Sequence, residues 1–114
     1  MAVLVRPDME ALLYARLKGL GGVTVFQFDA ASEFPGRVEI VNLQVDVRAS
    51  SKKRARDRAY EAREMVWALQ AENWAGQPLV VQAVDVVQGP GWLPEPDGAP
   101  RYVFRVAIRV HPQP

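Results

Sequence analysis

The stretch "RYVFRVAIRVHP", residues 101–112, constrains the fold most because apolar and charged residues alternate along it. Five apolar residues share one phase and three arginines share the other: Tyr102, Phe104, Val106, Ile108 and Val110; Arg101, Arg105 and Arg109. Successive side chains of a strand point to opposite faces. The pattern therefore predicts a strand buried on one face, with a wet, basic outer face. A strand of this kind needs a sheet and a second layer that covers its apolar face.

The rest of the chain is large enough to supply that layer. Its 114 residues correspond to one domain, 1–114, with 49% hydrophobic and 24% charged residues, as in ordinary globular proteins. The formal net charge is +1, so any electrostatic attraction to a partner must be local. The chain has no cysteine, which excludes disulfides and thiolate chemistry.

The segment "RPDMEALLYARLKG" predicts the first helix. Pro7 suits the first turn, Asp8 and Glu10 lie near the positive end of the helix dipole, and Gly19 is a natural stop. Four apolar residues form a stripe at helical spacing: Met9, Leu12, Leu13 and Leu17.

Three further segments predict strands. "GGVTVFQFD" is rich in β-branched and aromatic residues and precedes a loop around "AASEFPG". In "RVEIVNLQVDVRA" the alternating apolar residues change from even positions, up to Ile40, to odd positions, from Val41 onward. This shift by one residue predicts a β-bulge or bend near Ile40–Val41. "QPLVVQAVDVVQ" is the third.

A second, longer helix is predicted from about Ser51 to Ala71. Its stripe is narrow and made largely of small residues: Ala55, Ala59, Ala62, Val66 and Leu69. Small residues allow a helix to lie close to a sheet. The order helix, strand, strand, helix, strand, strand predicts an α+β fold, with a mainly antiparallel four-stranded sheet and both helices packed on one face.

No catalytic or metal-binding constellation is recognisable. His111, the single histidine, lies between Val110 and Pro112, a position more typical of a surface histidine than of a catalytic base. "GLGG" at 19–22 lacks the Lys-Ser/Thr pair of a phosphate-binding loop. Carboxylates occur singly rather than as pairs: Asp29, Glu33, Glu39, Asp46 and Asp85. We therefore expect a protein that is not an enzyme and needs no cofactor or metal. The apolar runs predict neither a signal peptide nor a membrane span.

The charge order of the long helix is unusual. Basic residues fill its first two turns: Lys52, Lys53, Arg54, Arg56 and Arg58. Acidic residues follow later: Glu61, Glu64 and Glu72. The macrodipole favours the reverse order by a few tenths of a kcal/mol per charge. Either this is a solvated helix end, eased by Lys53–Asp57 and Arg54–Asp57 pairs, or it faces an acidic partner surface or a nucleic-acid backbone.

Two aromatic features also have two interpretations each. Tyr60 and Trp67 share one side of the long helix, where they either widen the core contact or form an exposed subunit interface. The stretch "GPGWLPEPDGAPRY", residues 89–102, contains too much glycine and proline for regular structure and is long for a hairpin connection. Trp92 and Leu93 within it either fold back over the core or project as an arm into a neighbouring subunit.

Two segments resemble tail terminator proteins of long-tailed phages, especially those of actinobacteria. "VNLQVDVRASSKKRARDRAYEAREMVWAL" is similar to the central strand and helix of that family, and "GPGWLPEPDGAPRYVFRVAIRVHP" to its C-terminal segment. The matching loop residues are Trp92, Leu93, Pro94, Pro96, Asp97, Gly98, Pro100, Arg101 and Tyr102. The resemblance covers a little over half of the chain, and the N-terminal third shares only its opening helix.

The resemblance implies a structural virion protein, assembled in the host cytoplasm and located at the head–tail junction. Tail terminators form homo-oligomeric rings, typically hexamers, that cap the tail tube, stop its polymerisation and meet the head-side connector. Genome DNA passes through the lumen. Candidate subunit contacts are Trp92, Leu93, Pro94, Pro96, Asp97, Arg101, Tyr60 and Trp67, and candidate electrostatic contacts are Lys52, Lys53, Arg54 and Arg56. The alternatives are another head–tail connector subunit or a small nucleic-acid-binding module.

Overall fold

The computed structural model describes residues 8–33, 38–71 and 79–112. The elements follow in the order α1 (Met9–Leu17), β1 (Val23–Glu33), β2 (Val38–Arg48), α2 (Lys52–Ala68), β3 (Leu79–Trp92) and β4 (Arg101–Pro112). A 3₁₀ turn follows each helix, at Lys18–Leu20 and Leu69–Ala71. The predicted helices and the last strand are confirmed, whereas the first-turn position predicted for Pro7 lies outside the described residues.

The four strands form one antiparallel sheet in the order β1-β2-β4-β3. Strands β2 and β3 therefore run in the same direction, with β4 between them and α2 as the crossover. Buried residues of both helices join the inward-facing residues of the sheet in one core cluster. The predicted α+β fold, with a four-stranded antiparallel sheet and both helices packed on it, is confirmed.

The core forms where the predicted stripes meet the central strands. Val45 of β2 pairs with Phe104 of β4, and both are fully buried. The helices cover this face with α1 residues Met9, Leu13 and Leu17 and with α2 residues Ala55, Ala59, Ala62 and Val66. Asp8 caps α1 by accepting a hydrogen bond from Ala11 N at 3.0 Å. Neither α1 nor α2 packs on the opposite face of the sheet, which we call the outer face.

The bulge predicted near Ile40–Val41 is wrong. Strand β2 pairs with β4 without a register shift from Glu39 to Arg48, so Ile40 lies on the outer face while Val41 lies on the covered face. The irregularity is in β1, where the register shifts between Gln27 and Asp29. The apolar phase changes along β2 because the outer face also carries apolar residues.

Two predicted strand ends are also wrong, because the strands continue into predicted loops. Strand β1 runs to Glu33, four residues beyond the predicted end at Asp29. Strand β3 runs through Gly89–Pro90–Gly91 to Trp92, with register shifts that absorb these residues. Gly89 has φ +83°, and a Cβ there would lie 2.6 Å from Val103 O, so a residue without a side chain lets β3 pass β4 at this point. The irregular connection is therefore residues 93–100.

Candidate functional site

The connection between β3 and β4, residues 93–100, is a compact hairpin end. Leu93 N donates to Arg101 O at 3.1 Å, and Glu95 N donates to Ala99 O at 3.0 Å. Asp97 accepts from Ala99 N at 2.9 Å, a local bond that is typical of an aspartate in a turn. The segment is therefore closed on itself by its own hydrogen bonds.

Charged side chains attach this hairpin end to the sheet. Arg101 lies 3.4 Å from a Glu95 carboxylate oxygen and 3.7 Å from Asp46, and it donates to Leu93 O at 2.7 Å. Arg48 bonds the same Glu95 and lies 3.6 Å from Asp46. We call these four side chains the ion cluster: Arg48, Asp46, Arg101 and Glu95. Its two positive and two negative charges cancel, so the predicted basic outer face is neutralised at this end.

Trp92 lies at the start of the hairpin end and contacts its own chain. Its ring is tilted over Tyr102 with the centroids 5.5 Å apart, and Lys52 Nζ lies 4.8 Å from the ring centroid. The Trp92 side chain is nevertheless 41% exposed, and the neighbouring Leu93 is 51% exposed. Of the two interpretations of this segment, the structure places Trp92 over Tyr102 at the edge of its own core while leaving much of both side chains in solvent.

Aromatic and cationic side chains alternate along one flank of α2. The Arg63 guanidinium lies 4.7 Å from the Tyr60 ring centroid and 4.9 Å from that of Trp67, and the Arg56 guanidinium lies 5.1 Å from the Tyr60 centroid. Spacings of three and four residues bring these groups to one side of the helix. Trp67 is 38% exposed and Tyr60 is half-buried, so the pair lies at the border of the core rather than inside it.

These contacts connect two features that the sequence presents separately. Lys52, which lies over Trp92, is one turn before Arg56 on the same flank. We call the continuous series the aromatic–cation stripe: Trp92, Lys52, Arg56, Tyr60, Arg63 and Trp67. Lys52 and Trp67 are separated by about 22 Å along the helix axis, at the helical rise of about 1.5 Å per residue.

Arg58 is half-buried and donates to Arg48 O at 3.5 Å, whereas Lys53, Arg54 and Arg56 are exposed. Lys53 pairs with Asp57 at 3.0 Å, as expected, but the second cation beside Asp57 is Arg56, at 3.9 Å, rather than the predicted Arg54. Arg54 donates instead to Ser50 Oγ. Ser51 caps the helix by accepting from Arg54 N at 3.2 Å. Surface pairs of this kind contribute little to stability, so these cations remain available to a partner.

The outer face carries exposed aromatic residues for which the sequence patterns predicted no function. Phe26 and Phe28 are 43% and 45% exposed, with ring centroids 6.2 Å apart, and Arg105 lies 5.0 Å from the Phe28 ring centroid. Val87 of β3 is also exposed on this side. The signal in the sequence was that both phases of "VTVFQF" are apolar, which a strand with only one covered face does not require.

Side chains occupy main-chain amides on both edge strands of the sheet. Glu10 of α1 accepts from Gln27 N at 2.8 Å, and Asp29 accepts from Ala30 N at 2.8 Å, both on β1. On β3, Gln70 accepts from Val84 N at 3.1 Å. An amide that already donates to a side chain is not free to pair with a strand of another molecule.

Within residues 8–33, 38–71 and 79–112, no three His, Cys, Asp or Glu side chains are grouped so that they could hold a metal ion. Nor does any helix in these ranges have the length and apolar character needed to cross a membrane. Comparisons of the chain with protein-family models and with curated proteins find no match.

Proposed function

We propose that this protein is a tail terminator, a structural virion protein that forms a closed homo-oligomeric ring at the head–tail junction. The ring, a hexamer, caps the phage tail tube, stops its polymerisation and joins the tail to the head-side connector. The proposal rests on the resemblance of residues 41–69 and 89–112 to that family. The observation that carries it is the position of Trp92. This residue of the resembling loop lies beside α2 and is the first member of the aromatic–cation stripe.

The composition of the stripe supports a role in subunit contact. Tryptophan, tyrosine and arginine are the residues most enriched at energetically dominant interface positions. The side chains are also held in place before binding, since Arg63 contacts two rings and the ion cluster fixes the hairpin end. Groups that are already ordered lose less conformational entropy on association.

In this proposal the partners are the tail tube protein, the head-side connector and further copies of the chain. Genome DNA passes through the lumen without sequence-specific binding. The protein is assembled in the host cytoplasm and is located in the virion. A ring requires a heterologous contact whose rotation closes, so each subunit contributes two different surfaces.

The arrangement of the cations favours this proposal over a small nucleic-acid-binding module. Such a module would combine the start of α2 with the arginines of β4. Because α2 covers one face of the sheet and Arg105 lies on the other, these cations do not form one continuous surface. Arg101 is moreover paired with Asp46 and Glu95.

The first experiment measures the molar mass of the protein by size-exclusion chromatography with light scattering. We expect a closed oligomer of the wild type, and we expect Trp92→Ala to shift it towards smaller species. Tyr14→Ala is a matched control, because Tyr14 is an exposed aromatic residue of α1 outside the stripe. A stable, compact wild-type dimer would contradict the ring.

The second experiment tests the activity on the tube. Purified protein is added to its cognate tube protein during polymerisation, and tube lengths are measured by electron microscopy. A terminator shortens the tubes and appears at their ends, whereas a connector subunit that acts only on the head leaves their length unchanged. Binding to duplex DNA is measured in parallel, because a nucleic-acid-binding module loses affinity steeply with added salt.

A further inference from the structure

The two halves of α2 carry opposite charge. Residues 52–60 contain five basic side chains and one acidic side chain, whereas residues 61–68 contain two glutamates and one arginine. That arginine, Arg63, contacts two rings and lies 3.5 Å from Glu64, with only 24% of its side chain exposed. The surface of the second half is therefore dominated by Glu61 and Glu64.

The stability of the helix itself does not explain this order. Cations in the first turn oppose the macrodipole. Asp57 and Glu61, four residues apart, are in addition a like-charge pair, which is unfavourable on a helix surface. Both features weaken α2 as an isolated element, so the charge order calls for an explanation in association.

Each end of α2 combines its charge with exposed apolar surface. The basic end patch consists of Lys52, Lys53, Arg54 and Trp92, where Lys53 is 86% exposed. The acidic end patch consists of Glu61, Glu64 and Trp67, where Glu64 is 63% exposed. An aromatic residue within a charged rim is a common composition of protein interfaces.

A second copy of the chain offers the charge that the basic end patch lacks. Outside residues 52–60 the chain has 9 basic and 12 acidic residues, from totals of 14 and 13 less five and one, so the remainder is acidic by three charges. Extension of the sheet between copies is hindered, since Gln27 N, Ala30 N and Val84 N already donate to side chains. Contact through the surface of α2 is not subject to this hindrance.

We propose that the basic end patch of one copy docks against the acidic end patch of a second copy. This inference rests on the proposed function, which requires self-association, and it names the two surfaces that meet. Opposite charges set the register of the contact, and Trp92 and Trp67 supply its apolar part. Patches at opposite ends of one helix also provide the two different surfaces that a head-to-tail ring needs.

A charge swap tests this pairing. The head variant carries Lys52→Glu, Lys53→Glu and Arg54→Glu, and the tail variant carries Glu61→Lys and Glu64→Lys. Both are expected to fold: glutamate at position 54 completes a capping box with Ser51, and lysine at position 61 forms a favourable pair with Asp57. Each variant alone should need about tenfold or more higher protein concentration to assemble, because like charges then face each other.

The combined five-substitution variant should assemble again, and so should an equimolar mixture of the head and tail variants. Asp85→Lys is the matched control for Glu61→Lys, since each raises the net charge by two but Asp85 lies on the outer face. Assembly is measured by light scattering at several concentrations, and folding by circular dichroism.

The outcomes separate this inference from the proposed function. A wild-type ring that neither reversal weakens, or that the combined variant does not restore, overturns the pairing and leaves the ring intact. A two-fold dimer with full charge-swap behaviour supports the pairing and contradicts the ring. A wild type that stays monomeric at every concentration overturns the pairing. The pairing is also overturned if the head variant loses binding to DNA while the tail variant assembles like the wild type. The basic end patch would then bind DNA rather than a second copy.

Discussion

Two arginine-rich surfaces of this protein look alike in the sequence and differ in the structure. On β4, Arg101 is 17% exposed and is bound to Asp46, Glu95 and a main-chain carbonyl. Arg105, four residues on, donates to Gln44 and lies over Phe28. On α2, Lys52 and Arg56 lie over aromatic rings, and their charges stay at the surface.

The difference shows what decides whether a cation forms an ion pair within the fold. It is the presence of acidic side chains on neighbouring strands, rather than the number of cations in the segment. Arg101 pairs in register with Arg48, which brings both close to Asp46 and Glu95. Lys53 and Arg56 of α2 lie instead beside Asp57, whose side chain is 54% exposed, because the helix covers the sheet with its alanine stripe. Cations of the first kind should affect stability, and those of the second kind should affect association.

The largest effect is expected for Arg101→Ala. Removal of this guanidinium leaves the partly buried carboxylates of Asp46 and Glu95 without one of their cations, and loss of one member of a buried ion cluster is strongly destabilising. Because the cluster is only partly buried and Arg48 remains, we expect the free energy of unfolding to fall by about 2–3 kcal/mol. Urea denaturation followed by circular dichroism measures this change.

Arg105→Ala is the control on the same strand. Its side chain is exposed and makes one hydrogen bond, at 3.2 Å, and one ring contact, so its removal should cost about 1 kcal/mol or less. Equal losses for the two variants would show that the ion cluster contributes no more than an ordinary surface residue, and the contrast between the two cation surfaces would disappear.

The sequence predicted those parts of the fold that depend on periodicity. The alternation of residues 101–112 gave the limits of β4, and the spacing from Ala55 to Leu69 gave the buried side of α2, because burial on one face leaves a regular pattern. It did not predict the course of β3 through Gly89 and Pro90. There β3 continues because it pairs with β4, and Gly89 has a positive φ where the two strands pass closely. Both conditions depend on β4, so the sequence of β3 by itself does not indicate them.

The candidate site was predictable only in part. The residues of the hairpin end and of α2 were identified, but the contact of Lys52 with Trp92 was not, because it joins segments 40 residues apart in the sequence. The neutralisation of Arg101 was missed for the same reason. Phe26 and Phe28 were overlooked because an aromatic residue in a strand is ordinarily assigned to the core.

A smaller effect is expected for Arg63, which lies in the stripe with 24% of its side chain exposed. Arg63→Ala removes two cation–π contacts, each contributing about 0.5–1 kcal/mol. It also removes a buried Nε that has no hydrogen-bond partner, which offsets part of the loss. We expect unfolding free energy to fall by about 1 kcal/mol in urea denaturation.

Arg63→Lys distinguishes stacking from charge. Lysine keeps the positive charge beside Glu64 but lacks the planar group that contacts Tyr60 and Trp67. We expect it to recover less than half of the stability lost in the alanine variant. Full recovery would mean that the charge alone matters and that the rings do not order this part of the stripe.

The smallest effect on stability is expected for Lys52→Ala, which is the strictest test of the contrast with Arg101. The variant loses an exposed cation–π contact with Trp92, worth about 0.5 kcal/mol. It also removes a cation from the first turn of α2, where the macrodipole makes that cation unfavourable by a few tenths of a kcal/mol. The two terms nearly cancel, so the midpoint of urea unfolding should hardly move, while the concentration needed for assembly should rise. A loss of stability comparable to that of Arg101→Ala would mean that Lys52 holds Trp92 in the fold, and the start of α2 would then be a structural element rather than a surface available to a partner.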